Sequence, residues 1–220
     1  SRATSAMWQW GGMPYKKSIW IGGLSGLAFE TIIEVLDGFS SEWGFSCGDM
    51  LANVTGSTLY VSQELLWKEQ RIQLKASFHE NDYSYSKQLN DRANSFYGNT
   101  FLSRLIKDYN AENYWLSFNL KSFFKNSNLP DWLSFSIGHG ATNMFGAITN
   151  DWTDANGNAV SRNDLQRYRR FHFAPDVDLT KIKTKSKFLR SVFFALNSLK
   201  FPTPSLELSQ GKVKWNWIMF

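Results

Sequence analysis

The 220 residues contain a single cysteine, Cys47. One thiol excludes an internal disulfide and a cysteine-rich metal site. The three histidines, His79, His139 and His172, lie far apart in the sequence and have no metal-ligand spacing. Since no histidine lies near Cys47 in the sequence, a catalytic thiol is not expected either.

Signals for export and membrane insertion are also missing. The first residues lack the charged segment, apolar stretch and cleavage site of a secretory leader. Residues 1–8 read like the middle of a helix, so we expect that a leader and further sequence precede them. The most apolar stretch, residues 19–36, contains Glu30 and Glu34, so a conventional spanning helix of about 20 apolar residues is not expected. A position on a membrane surface, or inside a larger assembly, is left open.

Common functional motifs are absent as well. No helix-turn-helix, RNA-binding or zinc-finger pattern occurs, so no nucleic-acid partner is expected. The glycines at 22, 23 and 26 lie inside a predicted helix rather than after a strand, so they do not form a dinucleotide fingerprint. No Gly-x-Ser-x-Gly elbow is present. The sequence leaves enzymatic activity undecided and favours a protein that is not an enzyme.

Aromatic residues and basic charge are abundant. Ten Trp, eight Tyr and eighteen Phe make up 16% of the chain, and the net charge is +5. Residues 1–60 hold five acids and three bases, whereas residues 162–200 hold ten bases and three acids. An aromatic excess is typical of large binding surfaces, tight cores or the belt where a protein meets lipid headgroups.

Apolar periodicity changes along the chain from helical to alternating. Helical spacing predicts one helix over residues 18–37 and a second over residues 49–74. Alternation predicts strands at 114–120, 132–140 and 170–179, then a helix at 181–200 and a hairpin over 205–220. The predicted fold is α+β: an N-terminal helical hairpin or bundle, followed by a small antiparallel sheet with a C-terminal amphipathic helix and hairpin.

Three regions follow from this change of period. Residues 1–76 form a helical region, residues 77–113 an irregular connection with a short helix near 100–108, and residues 114–220 a strand-rich region with a basic amphipathic helix. The first and last regions could be separate or share one core.

Four polar residues of the helical region form a candidate site. Glu34 and Asp37 fall on one face of the first helix, and Asp49 and Asn53 on one face of the second. In a helical hairpin the four would meet, and crowded carboxylates require a cation, an Arg partner or a raised pKa. They are therefore candidate catalytic residues, and Glu34, Asp37 and Asp49 are candidate ligands of a divalent cation, while no other cofactor is expected. The alternative is a buried hydrogen-bonded network that fixes the packing of two helices.

Residues 19–56 resemble the YfiM-like family of predicted periplasmic lipoproteins, whose function is not established. The matching positions are Glu34, Asp37, Ser46, Asp49, Asn53 and Gly56. A weaker resemblance to VanZ-like membrane proteins rests on the Glu and Asp-x-x-x-Asn elements. The resemblance implies a place in the cell envelope and gives no reaction.

Two aromatic segments are candidate membrane or partner contacts. The last predicted strand carries Trp215, Trp217 and Phe220, with Met219 on the same side as the two tryptophans. Such an aromatic ending resembles the C-terminal strand of outer-membrane barrels, but closed barrels have at least about eight strands. Only five or six strands can be predicted here, so we expect a small sheet packed on helices. The predicted basic helix adds Phe188, Phe193, Lys187 and Arg190 as candidate contacts, with a solvated basic face as the alternative.

Together these features predict a non-enzymatic accessory or structural subunit of an outer-membrane-associated complex for secretion or protein assembly, on the periplasmic face of the outer membrane. Contact with a membrane surface is expected. The alternative is an enzyme or binding protein for a lipid or cell-wall headgroup that uses Glu34, Asp37, Asp49 and Asn53. A lipid-anchored scaffold is a third hypothesis.

Overall fold

The computed structural model describes residues 1–39, 44–146 and 148–219. Its two compact units are Ser1–Arg71 and Ile72–Phe220. The first unit is helical, and the second is an antiparallel sheet with short helices in its connections. The predicted α+β fold, with helices preceding an antiparallel sheet and a C-terminal hairpin, is confirmed.

The first unit consists of helices α1 (Arg2–Trp10), α2 (Tyr15–Gly38) and α3 (Cys47–Trp67). Helix α3 begins at a cap, because the Ser46 hydroxyl accepts a hydrogen bond of 3.2 Å from the Asp49 backbone N–H. The prediction that this helix continues to residue 74 is wrong. It ends where Lys68 adopts a left-handed conformation with φ of 56°, and the alternating residues that follow form a strand.

Small residues bring the helices of the first unit close together. A Cβ atom at Gly22 would lie 1.8 Å from the Ser5 hydroxyl oxygen, and one at Gly23 would lie 2.3 Å from a Val61 methyl group. The Ser5 hydroxyl also donates to the Ser18 carbonyl oxygen at 3.0 Å. Any side chain larger than that of glycine would therefore push α2 away from its neighbours, as the run of small residues predicts.

The second unit is built on a six-stranded antiparallel sheet in which the strands lie side by side in the order in which they occur along the chain. Its strands are β1 (Ile72–Phe78), β2 (Glu112–Asn119), β3 (Leu133–Thr142), β6 (Tyr168–Val177), β7 (Thr203–Ser209) and β8 (Lys212–Met219). A separate small hairpin pairs β4 (Asp151–Thr153) with β5 (Ala159–Ser161).

The connections of the sheet carry the remaining helices: α4 (Lys87–Phe96), α5 (Phe101–Lys107), α6 (Leu120–Phe123) and α7 (Lys187–Leu196). Two of them, α4 and α5, lie in the region expected to be an irregular connection. Both begin at capped positions, Ser86 and Thr100. Helix α4 packs on an aromatic cluster that includes Tyr83, Tyr97 and Phe145, and Arg104 of α5 lies over the Tyr83 ring, 5.4 Å from its centre. Helix α7 is shorter than predicted, because Leu179–Lys181 form a 3-10 turn and Ser186 caps the helix.

The sheet curls strongly. Trp115 on β2, Ala174 on β6 and Met219 on β8 belong to one buried cluster, so side chains of distant strands meet across the concave side. A register shift between β7 and β8 pairs Met219 with Thr203. This bulge turns Met219 to the buried side, away from the side of Trp215, and corrects the prediction that the two share a face.

The two ends of the sheet carry different connections. At the Tyr168 end of β6 lie the long connections 79–111 and 143–167 and the tight turn at residues 210–211. At its Val177 end lie the connections 120–132 and 178–202, which contain α6 and α7. These are called below the Tyr168 end and the Val177 end.

Candidate membrane-facing surface

One face of the six-stranded sheet, called here the outer face, is apolar and exposed. Its central row runs in register across all six strands: Leu74, Leu116, Ile137, Phe173, Leu206 and Trp215. Each of these side chains is between 39% and 58% exposed. A second row runs parallel to it and contains Ala76, Tyr114, His139, Phe171, Leu208 and Val213. The outer face is thus a continuous belt of aromatic and aliphatic groups with one histidine.

The opposite face, called here the inner face, is buried and mostly polar. It contains Lys75, Ser77, Asn113, Trp115, Ser117, Ser134, Ser136, His172, Asp176, Ser205 and Glu207. All of these residues are buried although most are polar or charged. Glycines leave room for the largest side chain, since a Cβ atom at Gly138 would lie 2.6 Å from the Trp115 ring.

A charge network occupies the inner face. The Lys75 ammonium lies 3.0 Å from one Asp176 carboxylate oxygen, and the Lys200 ammonium lies 3.6 Å from the other. The Ser117 and Ser136 hydroxyls donate to the same carboxylate at 2.6 and 3.0 Å. Buried charges are tolerated only when they are paired and hydrogen-bonded in this way.

This distribution is the reverse of that in a water-soluble sheet. In a soluble antiparallel sheet the apolar face packs on a core and the polar face meets water. Strands of outer-membrane proteins instead alternate apolar residues outward with polar residues inward. The sequence prediction identified the alternation but expected helices to cover the apolar face, and the exposed outer face corrects that expectation.

Aromatic side chains lie at both ends of the sheet. Exposed aromatic residues at the Val177 end are Phe123, Phe124, Trp132, Phe201 and Trp217. Those at the Tyr168 end are Tyr85, Phe101, Tyr109 and Tyr114. Two aromatic girdles that flank an apolar band are typical of proteins that cross a bilayer, because amphipathic rings favour the headgroup level.

The predicted contact residues differ in how much of each side chain is exposed. Trp215 and Trp217 are exposed, and their rings pack edge to face with centroids 5.7 Å apart. On α7, Phe188, Lys187 and Arg190 are exposed, whereas Phe193 is half-buried. Phe220 lies outside the described residues.

Apolar exposure extends to the helices of the first unit. Exposed residues there include Trp20, Leu24, Phe29, Ile32, Leu36, Leu51 and Leu66, while the buried residues include Ser5, Ser18, Glu34 and Gln63. Among the described residues, α2 alone is long and apolar enough, by length and composition, to cross a membrane, although core helices and signal sequences pass the same test. The sequence analysis expected no conventional membrane-spanning helix, and the length and composition of α2 differ from that expectation.

The four side chains of the predicted polar site, Glu34, Asp37, Asp49 and Asn53, differ in burial and in their contacts. The Glu34 side chain is buried, and its carboxylate accepts a hydrogen bond of 3.2 Å from the Ser46 backbone N–H at the start of α3. Asp37 and Asn53 are half-buried, and Asp49 is exposed in the first turn of α3. Within residues 1–39, 44–146 and 148–219, no group of three or more His, Cys, Asp or Glu side chains is placed to hold a metal ion. A catalytic role for these four residues stays a prediction.

A second polar cluster, at the Tyr168 end, escaped the sequence analysis. The Tyr83 hydroxyl donates to the buried Asp108 carboxylate at 2.8 Å, and the Asn110 amide donates to the Tyr83 and Tyr97 hydroxyls at 3.1 and 2.9 Å. Burial, and then the negative charge of Asp108, raises the pKa of both tyrosines. Asp108 also lines a surface pocket formed with Phe78, His79, Glu80, Asn81, Phe101, Arg104 and Leu105. The members Tyr83, Tyr97, Asp108 and Asn110 follow no helical or strand spacing, so no local pattern signals the cluster.

Comparison with known protein families gives a match to the first part of the chain. No curated protein and no solved structure matches the chain. Residues 1–64 match the family described as predicted periplasmic lipoprotein (DUF2279), and the matched part ends before β1 begins. The match confirms the expected likeness to predicted periplasmic lipoproteins. It bears out neither the narrower likeness to the YfiM-like family nor the likeness to VanZ-like proteins. The first 64 residues of this chain are therefore similar to a family of predicted periplasmic lipoproteins.

Proposed function

We propose that this chain is a cell-envelope protein whose sheet lies in the outer membrane with its outer face against lipid, and that it serves as a non-enzymatic accessory subunit of a protein complex there. The observation that carries the proposal is the register of six exposed apolar side chains across six strands, opposite a buried inner face of charged and polar groups. The similarity of residues 1–64 to predicted periplasmic lipoproteins supports a place in the envelope.

Lipid suits the outer face better than water does. Monomeric soluble proteins rarely expose contiguous apolar patches of more than a few hundred Å². The inner face already holds the charges that a soluble protein would direct outward. Strands β3 and β6 are ten residues long, close to the roughly 9–11 residues of a strand that crosses a bilayer.

The unpaired edge of β8 supports a protein partner. Within the described part of the chain, β8 pairs with β7 and has no strand on its other side. Hydrocarbon offers no hydrogen bonds, so an open sheet edge does not persist in it. A neighbouring strand from a partner protein would satisfy these backbone groups, and the aromatic excess favours a large contact surface.

Site-specific labels would test the lipid contact. With Cys47→Ser as background, Ile137→Cys places a single thiol on the outer face, and Asn156→Cys places one on the exposed tip of the β4–β5 hairpin. Each thiol carries a bimane fluorophore, and the protein is reconstituted in phosphatidylcholine vesicles. We expect lipids with doxyl groups on their acyl chains to quench the label at residue 137 and spare the label at residue 156. Equal quenching of both labels by aqueous iodide would refute the proposal.

Purification from native membranes would test the accessory role. We expect the chain to co-purify with an outer-membrane protein identified by mass spectrometry, and chemical cross-links to include residues near the β8 edge. Recovery of the chain only as a soluble monomer would contradict both parts of the proposal.

A further inference from the structure

We infer that the Val177 end of the sheet binds the anionic phosphate groups of phospholipids, so that this end faces a negatively charged membrane surface. The inference rests on the proposed lipid contact of the outer face and adds the headgroup chemistry and the orientation. It begins with a segment called here the basic strap, residues 181–190. Its bases are Lys181, Lys183, Lys185, Lys187 and Arg190.

The basic strap is held at the Val177 end by hydrogen bonds of the flanking residues. The Asp178 backbone N–H donates to the Trp132 carbonyl oxygen at 2.8 Å, and the Leu179 N–H donates to the Asn197 side-chain oxygen at 2.8 Å. Lys183 reaches the adjoining connection through an ion pair of 3.0 Å with Asp131. The strap is thus fixed at the Val177 end of the sheet.

Charge differs sharply between the two ends of the sheet. The connections at the Val177 end, residues 120–132 and 178–202, contain eight bases and two acids. Of these acids, Asp178 is buried and bonded to Gln73 and Thr180. The long connections at the Tyr168 end, residues 79–111 and 143–167, contain six bases and seven acids. Charged residues that served only to keep the protein soluble would be distributed evenly over both ends of the sheet.

Aromatic side chains lie among these bases. Phe188 on α7 is 74% exposed, and Phe124 in the preceding connection is 62% exposed. In the proposed orientation the exposed Phe188 ring enters the acyl boundary while the lysine and arginine groups stay at headgroup level. Clustered bases beside interfacial aromatics are the combination that anionic phospholipids attract, and a free phosphate ion would make no use of the apolar rings.

Vesicle composition would test this inference. The protein carries the bimane label at residue 137 in the Cys47→Ser background and is added to vesicles of phosphatidylcholine alone or mixed three to one with phosphatidylglycerol. A triple variant, Lys183→Gln with Lys185→Gln and Lys187→Gln, removes three charges from the strap. The matched control removes three exposed lysines at the Tyr168 end, through Lys87→Gln, Lys107→Gln and Lys212→Gln.

We expect phosphatidylglycerol to increase the bound fraction of the unsubstituted protein by about tenfold or more, since each base near an anionic surface adds to the attraction. The strap variant should lose most of this increase, and the control variant should keep it. Doxyl-lipid quenching at residue 137 should persist in all three proteins.

Equal binding to both vesicle types, with quenching at residue 137 intact, would overturn the inference and leave the proposed function standing. Loss of the preference in both triple variants would also overturn it, because net charge rather than the strap would then be responsible. Absence of quenching at residue 137 in every vesicle would instead refute the proposed function.

Discussion

Lys75 and Asp176 form an ion pair of 3.0 Å between the first and fourth strands of the sheet, with no exposed area on either side chain. Two strands lie between them, so the contact exists only because the sheet curls. Lys200 approaches the same carboxylate at 3.6 Å and lies 5.1 Å from the centre of the Trp115 ring. Lys200 thus joins the charge network to the aromatic ring of Trp115 on the inner face.

Removing one member of this pair should destabilise the sheet. Asp176→Ala leaves two buried ammonium groups without their carboxylate, and breaking a buried pair lowers the free energy of unfolding by about 3–5 kcal/mol. Urea unfolding of the refolded protein in detergent micelles would measure the change. The control is Asp131→Ala, which removes an exposed partner of Lys183 and should have little effect. Equal effects of the two variants would contradict the structural role of the network.

Gly138→Ala should destabilise the second unit by overpacking. The added methyl group would lie 2.6 Å from the Trp115 ring, and such crowding lowers the free energy of unfolding by about 1–3 kcal/mol. Trp115→Phe in the same chain should recover part of the loss, since a smaller ring gives the methyl group room. A double-mutant cycle from denaturant unfolding would measure this coupling, and additive effects would count against the packing.

A charge placed on the outer face should weaken insertion of the protein into lipid and leave its fold in detergent unchanged. Ile137→Arg places a guanidinium on the central row, where burial of a base at the bilayer midplane costs about 2–4 kcal/mol. We expect weaker insertion into vesicles, measured by flotation, while far-ultraviolet circular dichroism in detergent stays unchanged. Asn156→Arg on the hairpin tip is the matched control and should insert normally. Normal insertion of Ile137→Arg would show that the outer face does not meet lipid.

Tyr83 and Tyr97 should ionise later than exposed tyrosines on alkaline titration. Burial and the Asp108 charge raise the pKa of both phenols in the folded state. Their contribution to stability is therefore complete below the ordinary tyrosine pKa of about 10 and is lost as the pH rises above it. Absorbance at the tyrosinate band should show a delayed fraction that Tyr83→Phe reduces and Tyr85→Phe leaves unchanged. Reduction of that fraction by Tyr85→Phe alone would disprove the assignment.

Substitutions in the first unit should separate a packing network from a headgroup site. Glu34→Ala removes the buried acceptor of the Ser46 N–H, and losing a hydrogen bond to a charged group costs about 1.5–3 kcal/mol. Asp49→Asn at the exposed start of α3 should have little effect on thermal unfolding. A headgroup-acting protein predicts the reverse for function, with Asp49→Asn abolishing it while the fold survives. Headgroup binding and circular dichroism on the two variants would distinguish these roles.

Local patterns were sufficient to predict most elements of this fold. Alternation located β2, β3, β6 and the final hairpin, and α5 lies where a short helix was predicted near residues 100–108. The α3–β1 boundary was misplaced because apolar residues continue past Trp67, while the chain turns at Lys68 through a backbone conformation that no sequence period encodes.

Alternation in the sequence could not show which face of the sheet is buried and which is exposed. A period of two residues divides a strand into two faces but does not say which face is buried. That choice depends on long-range pairing, such as that of Lys75 with Asp176, and on whether the surroundings are water or lipid. The turn of Met219 to the inner face was missed for a related reason, because one bulged residue reverses the phase of the strand.

The Lys75–Asp176 pair also constrains the order in which the sheet is assembled. A contact between strands one and four cannot close until the three strand pairings that connect them, β1 with β2, β2 with β3 and β3 with β6, are in register, because these pairings determine the curvature that brings the charges together. Before that point, an aspartate and two lysines remain hydrated, and hydrated charges resist transfer into hydrocarbon. If the outer face meets lipid as proposed, closing the curl would pair these charges before the apolar side inserts, and the Lys75–Asp176 pair would then be a folding checkpoint.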